Sequence, residues 1–207
     1  MNIVIFGAGG RAGRRAVAEA RRRGHQVTAV VRDPARHRDP IDAPVVAGDV
    51  TDPGSVARAA AGQDAAISAA ADLTVPAQDF FPASSRALAA GLTEAGVRRL
   101  VVVGLAPVLP GPSGTPLMDE PGYPDEYRPF FLGHAAGLTE LRHCDLDWSY
   151  VAPAGDFDHD GVRTGRYEFA AHGDPASRIS YPDFAIALLD EIEAPRHLRG
   201  TASVREA

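Results

Sequence analysis

The residues best suited to bind a phosphate group lie in one glycine-rich stretch near the start of the chain. It reads Gly7-Ala8-Gly9-Gly10-Arg11-Ala12-Gly13. Gly7 allows a tight turn, Gly9 or Gly10 allows a close backbone approach to phosphate, and Gly13 allows close packing of a following helix. The free N–H groups and positive dipole at the start of that helix attract an anion. We therefore expect the whole stretch to hold the pyrophosphate of a dinucleotide.

Arginines at the end of the next apolar run indicate which dinucleotide is bound. Arg32 and Asp33 follow this run, Arg36 comes one helical turn later, and Arg38 lies close behind. NADP binders commonly place an arginine near the 2′-phosphate, whereas NAD binders place an acidic residue on the ribose. Arg32 and Arg36 therefore predict NADP, because two guanidinium groups can clamp a phosphate. A solvated arginine pair, with Asp33 on the ribose, is the alternative.

Further cofactor contacts are expected where the later strands end. Asp49 and Val50 follow the third apolar run and would bracket an adenine ring, although Asp49 suits a loop cap equally well. The small residues at 68–71, among them Ala69 and Ala70, would let the cofactor pass close by or would serve packing alone. The predicted set is completed by two residues after the fifth and sixth strands, Gly104 and Pro153.

Residues able to transfer a proton are scarce. All 21 basic residues are arginines, so the tyrosine–lysine pair that ordinary short-chain dehydrogenases use for proton exchange is missing. His134, near the start of a predicted helix, is the remaining catalytic candidate. An unperturbed histidine titrates near neutrality and can donate a proton there. A structural or solvated histidine is the alternative at this position.

Other reactive side chains form no strong motif. One loop-like segment contains Asp156, Asp158, Asp160, His159 and His172. The spacing of these residues matches no strong metal-binding pattern, and we predict no metal site. Ser84, Ser85 and Cys144 lack a base at a recognisable motif distance, so the sequence gives little support for nucleophilic catalysis.

Alternating apolar runs and amphipathic segments must position these residues. Strands are predicted at 2–6, 26–31, 43–47, 64–69, 99–103 and 146–151, with a terminal edge strand at 201–204. Helices are predicted at 12–23, after a cap at Thr51 or Asp52, at 82–95, at 130–143, and after a cap at Ser180. Strands that alternate with helices form a parallel sheet. We therefore predict an α/β fold, a Rossmann-like doubly wound parallel sheet with helices on both faces and a small C-terminal substrate-side extension.

Two irregular segments flank the expected cleft. Seven prolines fall between Pro107 and Pro129, and residues 154–178 are again loop-like, with a short hairpin predicted at 164–170. Long irregular inserts are uncommon in compact domains unless they act as lids or binding loops. We expect 106–130 and 154–178 to be substrate-side loops of a single NAD(P)-binding domain that spans 1–207. An exposed loop without a role is the alternative for the proline-rich insert.

Composition and charge indicate which classes of partner the chain can bind and in which cellular compartment it is expected. The net charge of −6 argues against a broad nucleic-acid surface, and no apolar run approaches the roughly 20 residues that cross a bilayer. A single cysteine excludes an intrachain disulfide framework, and a strand from residue 2 leaves no space for a signal peptide. We therefore expect a cytoplasmic monomer or homodimer that binds neither nucleic acid nor membrane.

The order of these elements resembles the atypical short-chain dehydrogenases, which include the flavin reductase/biliverdin-IXβ reductase family and the NmrA-like NAD(P)H-binding proteins. The resemblance is strongest at 7–13, 27–33, 48–50, 62–65 and 147–153, and extends to 164–167 and 178–180. It implies that NADP(H) lies along the carboxyl ends of the strands. It also implies that Arg32 and Arg36 meet the 2′-phosphate, that Asp49 and Val50 meet the adenine, and that His134 lines the substrate cleft.

Three departures from the family pattern leave the reaction open. Gly9 stands where threonine or serine is usual, Leu105 replaces a serine after strand five, and Gly155 replaces a second cleft histidine. The first hypothesis is an NADPH-dependent reductase that passes hydride to a flavin or another planar small molecule. The second is a non-catalytic, NmrA-like NADP(H) sensor. A weaker third is a sugar-nucleotide epimerase or dehydratase, against which the missing tyrosine–lysine pair counts heavily.

Overall fold

The computed structural model of the chain describes residues 1–36 and 40–207, which form an α/β fold. Its strands are β1 (Asn2–Phe6), β2 (Gln26–Val31), β3 (Val45–Ala47), β4 (Ala65–Ser68), β5 (Arg99–Val103), β6 (Asp147–Pro153), β7 (Asp156–Asp158), β8 (Glu168–Ala170), β9 (Arg178–Ser180) and β10 (Gly200–Arg205). Its α-helices are α1 (Arg11–Arg22), α2 (Pro53–Ala60), α3 (Ala77–Glu94), α4 (Arg128–Arg142) and α5 (Tyr181–Glu193).

Within the described residues, the main sheet has the order β3-β2-β1-β4-β5-β6-β10-β8. Its pairs are parallel except for β8, which runs antiparallel to β10 at the edge. The chain starts at β1, winds outward to β3, and then returns to wind the other way from β4. The predicted Rossmann-like, doubly wound sheet is therefore confirmed, and its crevice lies where the order reverses between β1 and β4.

Helices cover both faces of this sheet. Helices α1 and α5 pack together on one face, while α3 packs against α2 and α4 on the other. Alternate residues of a strand point to opposite faces, so Ile3 and Ile5 enter the α1–α5 core while Val4 and Phe6 enter the second core. This burial on both sides explains why β1 reads as a continuous apolar run.

The structure corrects three of the predicted elements. Helix α3 begins at Ala77 rather than at 82, because the buried Phe80 and Phe81 extend the helix before Pro82. The predicted hairpin at 164–170 is wrong, because β8 pairs with β10 instead. For the same reason β10 is not the edge strand, since it lies between β6 and β8.

A second, two-stranded parallel sheet of β7 and β9 forms the small C-terminal extension. No helix in the described part of the chain is long and apolar enough to cross a bilayer.

Candidate functional site

The turn from β1 into α1 can be made only by glycines at two of its positions. Gly7 has a φ of +72°, and a Cβ added there would lie 2.6 Å from the backbone of Ala69. A Cβ at Gly13 would lie 2.2 Å from the carbonyl oxygen of Gly7. The two glycines therefore allow β1, the residue after β4 and the first turn of α1 to approach one another closely.

The N-terminus of α1 is built differently from that of α2. Gly10 is the N-cap of α1, and no side chain among the described residues caps the helix there. In α2, by contrast, the predicted cap at Asp52 is confirmed, since its Oδ1 accepts the N–H of Gly54 at 3.0 Å. The first turn of α1, with Arg11, Ala12 and Gly13, therefore presents backbone N–H groups and a positive dipole end that an anion can use.

Two cavities lie beside the glycine turn and share two lining residues, Gly7 and Arg32. The larger has a volume of about 570 Å³ and is lined by Gly7, Gly9, Gly10, Val31, Arg32, Asp33, Arg36, Ala71 and Thr74. The smaller, of about 70 Å³, is lined by Phe6, Gly7, Val30, Arg32, Gly48, Asp49, Val50, Ala70 and Phe80. Glycine backbone and arginines suit phosphates, and the apolar walls of the smaller cavity suit a base.

Asp49 lines the smaller cavity and also caps its own loop. Its Oδ1 accepts the backbone N–H of Thr51 at 2.8 Å and the hydroxyl of the same residue at 2.7 Å. The Ser55 hydroxyl accepts the N–H of Asp49 at 2.9 Å. The two roles weighed for Asp49 are compatible, because the local turn holds the residue where it faces the cavity beside Val50.

Both predicted phosphate-binding arginines that the structure describes have an acidic partner. Arg32 pairs with Asp72, whose side chain is 6% exposed, and Arg36 pairs with Asp33 at 3.3 Å on the open surface. Because Asp72 is buried, the Arg32–Asp72 pair is less screened by water than the exposed Arg36–Asp33 pair. Arg38 lies outside the described residues. The assignment of Arg32 and Arg36 to a 2′-phosphate stays a prediction.

The later predicted contacts lie at the carboxyl ends of β4, β5 and β6. Ala69 donates its N–H to Phe6 at 2.9 Å, and Ala70 lines the smaller cavity. Gly104 follows β5 and must be a glycine, because an added Cβ would lie 2.2 Å from the ring of Tyr150. Pro153 ends β6 and lies opposite Val204 of β10.

His134 is buried against α3 and β6, with 8% of its surface exposed. Its ring lies 3.7 Å from the Phe81 ring, centroid to centroid, and its Nδ1 lies 3.1 Å from the Tyr150 hydroxyl. The hydroxyl oxygen also accepts the N–H of Leu105 at 3.0 Å. Tyr150 therefore connects His134 to the backbone that follows β5.

This burial corrects the expectation that His134 is a proton donor near neutrality. Desolvation lowers the pKa of its imidazole from 6.5 to about 3, because the apolar surroundings disfavour the charged ring. At neutral pH His134 is therefore a neutral hydrogen-bonding group. The small cavity beside it is also lined by Ser68, Ala70, Ser84 and Ser85, so the histidine stays near the predicted cofactor contacts.

The histidines of the loop-like segment do not gather around a metal site. His159 accepts a hydrogen bond from Arg11, and the Nδ1 of His172 lies 2.9 Å from the carbonyl oxygen of Gly173. Among the described residues there is no group of three or more metal-ligating side chains. The contact of Arg11 with His159 instead links the start of α1 to the segment that follows β7.

Sequence reasoning missed three residues that shape the site, namely Asp72, Phe80 and Tyr150. The sequence does contain a signal for Asp72, since Asp72-x-Thr74 after β4 repeats the Asp49-x-Thr51 pattern that follows β3. Asp72 accepts the N–H of Thr74 at 2.9 Å and its hydroxyl at 2.6 Å. Phe80 and Tyr150 gave no such signal, because their positions depend on packing between distant segments.

Known proteins resemble this chain over almost its whole length. A sequence profile of NAD(P)H-binding proteins matches residues 7–195. The uncharacterised protein YwnB of Bacillus subtilis is 38% identical over 208 residues, covering 95% of this chain and 94% of YwnB. A solved structure named as a candidate NADH-flavin reductase from Streptococcus pneumoniae is 32% identical, with full coverage of both chains and a TM-score of 0.80.

A second solved structure, from Burkholderia pseudomallei, is 40% identical, covers 99% of each chain, and has a TM-score of 0.86. That protein is named as a candidate exported protein, and the cytoplasmic location expected for this chain stays a prediction. The profile match and these identities agree with a glycine turn, two adjoining cavities and arginines at the switch point of the sheet. This chain belongs to the NAD(P)H-binding family.

Proposed function

We propose that this protein is an NADPH-dependent oxidoreductase of the flavin-reductase type, which passes hydride to a flavin or another planar small molecule. The observation that carries the proposal is the pair of cavities that share Gly7 and Arg32 at the carboxyl edge of the sheet. The apolar cavity suits the adenine, and the glycine-lined cavity with Arg32 and Arg36 suits phosphates. The similar Streptococcus pneumoniae protein, named as a candidate NADH-flavin reductase, supports the same class of reaction.

Hydride transfer between two planar rings requires little from the protein beyond positioning. The bound nicotinamide supplies the hydride. The chain then has to hold both partners in contact and exclude water, which lowers the barrier without a proton relay. This requirement fits a chain that has no lysine and whose candidate histidine is buried and neutral. In this reaction His134 offers a neutral imidazole rather than a charged acid.

We expect the acceptor to bind between the two irregular segments. They meet around a cavity of about 340 Å³, whose walls include Leu117, Glu120, Tyr123 and Pro175. Gly173 also donates its N–H to Pro110 at 2.8 Å, which ties the second segment to the proline-rich insert. Tyr123 adds an aromatic ring to the wall of this cavity and packs edge-on against Phe131, with ring centroids 5.9 Å apart. Such a wall suits a planar acceptor.

A non-catalytic NADP(H) sensor is the second candidate. The observation that favours it is the state of His134, because the low pKa removes the one acid–base group expected in the cleft. A sensor needs the dinucleotide site and no proton donor. Similar affinities for NADP and NADPH, without turnover of any acceptor, would support this function over the first. An epimerase or dehydratase would need proton transfer, and the chain has no lysine to form the tyrosine–lysine pair.

The test is the oxidation of NADPH in the presence of FMN, riboflavin, a quinone or a bilin. Gly10→Asp is the variant that should lose NADPH binding without disturbing the fold. The φ of −77° at this position suits residues other than glycine, and an added Cβ would lie 3.4 Å from the Gly7 carbonyl oxygen. The aspartate would place a negative charge and a helix cap where the phosphate is expected. We expect turnover by the wild type and a loss of at least about tenfold in NADPH affinity in Gly10→Asp. NADPH binding without reduction of any acceptor would contradict the reductase proposal.

A further inference from the structure

The Arg32–Asp72 ion pair crosses the cofactor crevice. Arg32 follows β2 and Asp72 lies in the loop after β4, while β1 runs between these two strands. Neighbouring strands are about 4.8 Å apart, so the pair spans the end of β1 directly beside Gly7. Arg32 lines the larger cavity on one side and the smaller cavity on the other. The ion pair therefore stands at the boundary between the two cavities.

The Asp72 carboxylate is held rigidly in this place. Its Oδ1 accepts both the N–H and the hydroxyl of Thr74, which leaves Oδ2 for Arg32. The residue is 7% exposed, so a different side-chain position would break these bonds without gaining full hydration. The Arg32 guanidinium, together with the Thr74 donors, holds the pKa of this carboxyl well below its usual range. Asp72 is thus a permanent negative charge beside Arg32.

The second arginine has a much weaker partner. Arg36 and Asp33 are 84% and 50% exposed, and an ion pair in that setting is largely screened by water. Arg36 can therefore turn to a phosphate without leaving a buried charge behind. Arg32 differs, because an anion that binds its guanidinium must compete with the fixed Asp72 carboxylate and would leave that buried charge unpaired.

We propose that Asp72 is a specificity-determining residue, which competes with the 2′-phosphate of NADP for Arg32 and so limits the preference for NADP over NAD. The inference rests on the proposed nicotinamide-dependent function. A phosphate at this position meets a nearly neutral ion pair instead of a free cation, and it also meets the carboxylate itself. NAD brings no charge to this position, so its affinity depends little on Asp72.

The experiment compares dissociation constants for NADP and NAD, measured by calorimetry, in the wild type and in Asp72→Asn. Asparagine keeps the shape of the side chain and an oxygen for the Thr74 donors, and it removes the charge together with the second acceptor oxygen, which pairs with Arg32. We expect the ratio of Kd for NAD to Kd for NADP to rise by about tenfold, through tighter NADP binding. Asp42→Asn is the control, because it removes the same charge from a side chain that is 84% exposed, and it should leave the ratio unchanged.

The same substitution made in the Arg32→Ala variant separates competition for Arg32 from direct repulsion between the Asp72 carboxylate and the 2′-phosphate. In Arg32→Ala, the further change Asp72→Asn should raise the ratio much less, because no guanidinium is left to release. An unchanged ratio in Asp72→Asn would overturn the inference, and so would a lower one, which would mean that Asp72 holds Arg32 toward the phosphate. If Asp72→Asn does not fold, Asp72→Ser removes the charge in the same way.

Failure of this inference is distinguishable from failure of the proposed function. A wild type that reduces flavin, with the same ratio in Asp72→Asn, would overturn only the role of Asp72. A wild type that binds nucleotide and reduces no acceptor would overturn only the reductase proposal, and the ratio would still be measurable.

Discussion

Gly7 combines two constraints that are separable by comparison with Gly62. The φ values are +72° at Gly7 and +73° at Gly62, but an added Cβ meets the Ala69 backbone at 2.6 Å only at Gly7. Gly62→Ala should destabilise the protein by about 1–2 kcal/mol, the usual cost of a left-handed conformation for a residue with a Cβ. Gly7→Ala should cost roughly 2–4 kcal/mol, because the overlap is added. Urea unfolding measures both, and equal losses would show that the close approach to Ala69 is not needed.

The burial of His134 should make stability depend on pH. Its pKa falls from 6.5 to about 3 on folding, so the unfolded chain binds the proton first and acid favours unfolding. The free energy of unfolding is therefore unaffected by this titration above about pH 6.5, and it decreases as the pH falls toward 3, by at most about 1.4 kcal/mol per pH unit. We expect wild type to lose about 2 kcal/mol more than His134→Gln between pH 7.5 and pH 5.

Urea unfolding at these two pH values checks the His134 prediction. Glutamine keeps an acceptor for the Tyr150 hydroxyl, so the comparison isolates the titration of the ring. Parallel losses in the two proteins would mean that His134 titrates normally in the folded state.

At the scale of elements, local patterns predicted more than long-range pairing did. The bounds of β1, β2 and β5 agree with the predictions, because each is a β-branched run with glycine or polar residues at its ends. The position of β10 inside the sheet could not be predicted in this way, since its neighbour β8 is a partly buried strand of only three residues that lies far from it in sequence. The site shows the same limit, because the Arg32–Asp72 pair joins the ends of two strands that are not adjacent in the chain.

Helix α5 fixes the loop-like segment through one buried carboxylate. The predicted cap is confirmed at Ser180, which accepts the N–H of Asp183 at 3.1 Å. Asp183 is fully buried and accepts the N–H groups of Thr164, at 3.0 Å, and Gly165, at 2.8 Å, together with the Thr164 hydroxyl at 2.7 Å. The acidic residue in this capping motif therefore serves the neighbouring loop as well as the helix.

We expect Asp183→Asn to release this segment. The amide offers one acceptor oxygen instead of two and leaves a buried donor unpaired, which costs about 1–3 kcal/mol. Trypsin should then cleave faster after Arg163 or Arg166, both of which are exposed. Ser180→Ala is the control, since it removes only the helix cap, at a cost of about 1 kcal/mol. Equal cleavage rates in the two variants would show that Asp183 does not anchor the segment.

On the scale of the whole molecule, the amino and carboxyl ends of the parallel strands differ in how their polar groups are paired. At the amino ends of the strands, the Arg99 guanidinium lies 2.9 Å from the Ser149 hydroxyl and 2.6 Å from the Glu191 carbonyl oxygen. His197 also contacts the buried Glu191 carboxylate at 2.6 Å. This end joins β5, β6 and α5 through satisfied polar groups. The carboxyl ends instead hold the uncapped α1 and the two cavities, so a ligand there completes contacts that the chain leaves open.

Nucleotide binding at the switch point should therefore stabilise the entire fold. NADP at about 100 times its Kd adds about 2.7 kcal/mol to the free energy of unfolding. For a chain of this size, that corresponds to a rise in Tm of roughly 5–11 °C. In Arg32→Ala the rise with NADP should shrink at the same concentration, while the rise with NAD should stay the same, because only NADP carries the 2′-phosphate.

Arg86→Ala is the matched control for the thermal shift experiment. Arg86 is an exposed arginine on α3 that pairs with Glu140, so its removal changes the net charge equally without touching either cavity. Both nucleotides should then raise Tm as they do in the wild type. If NADP stabilises Arg32→Ala as strongly as the wild type, Arg32 does not read the 2′-phosphate. The discrimination between NADP and NAD would then have to come from Arg36 and its surroundings.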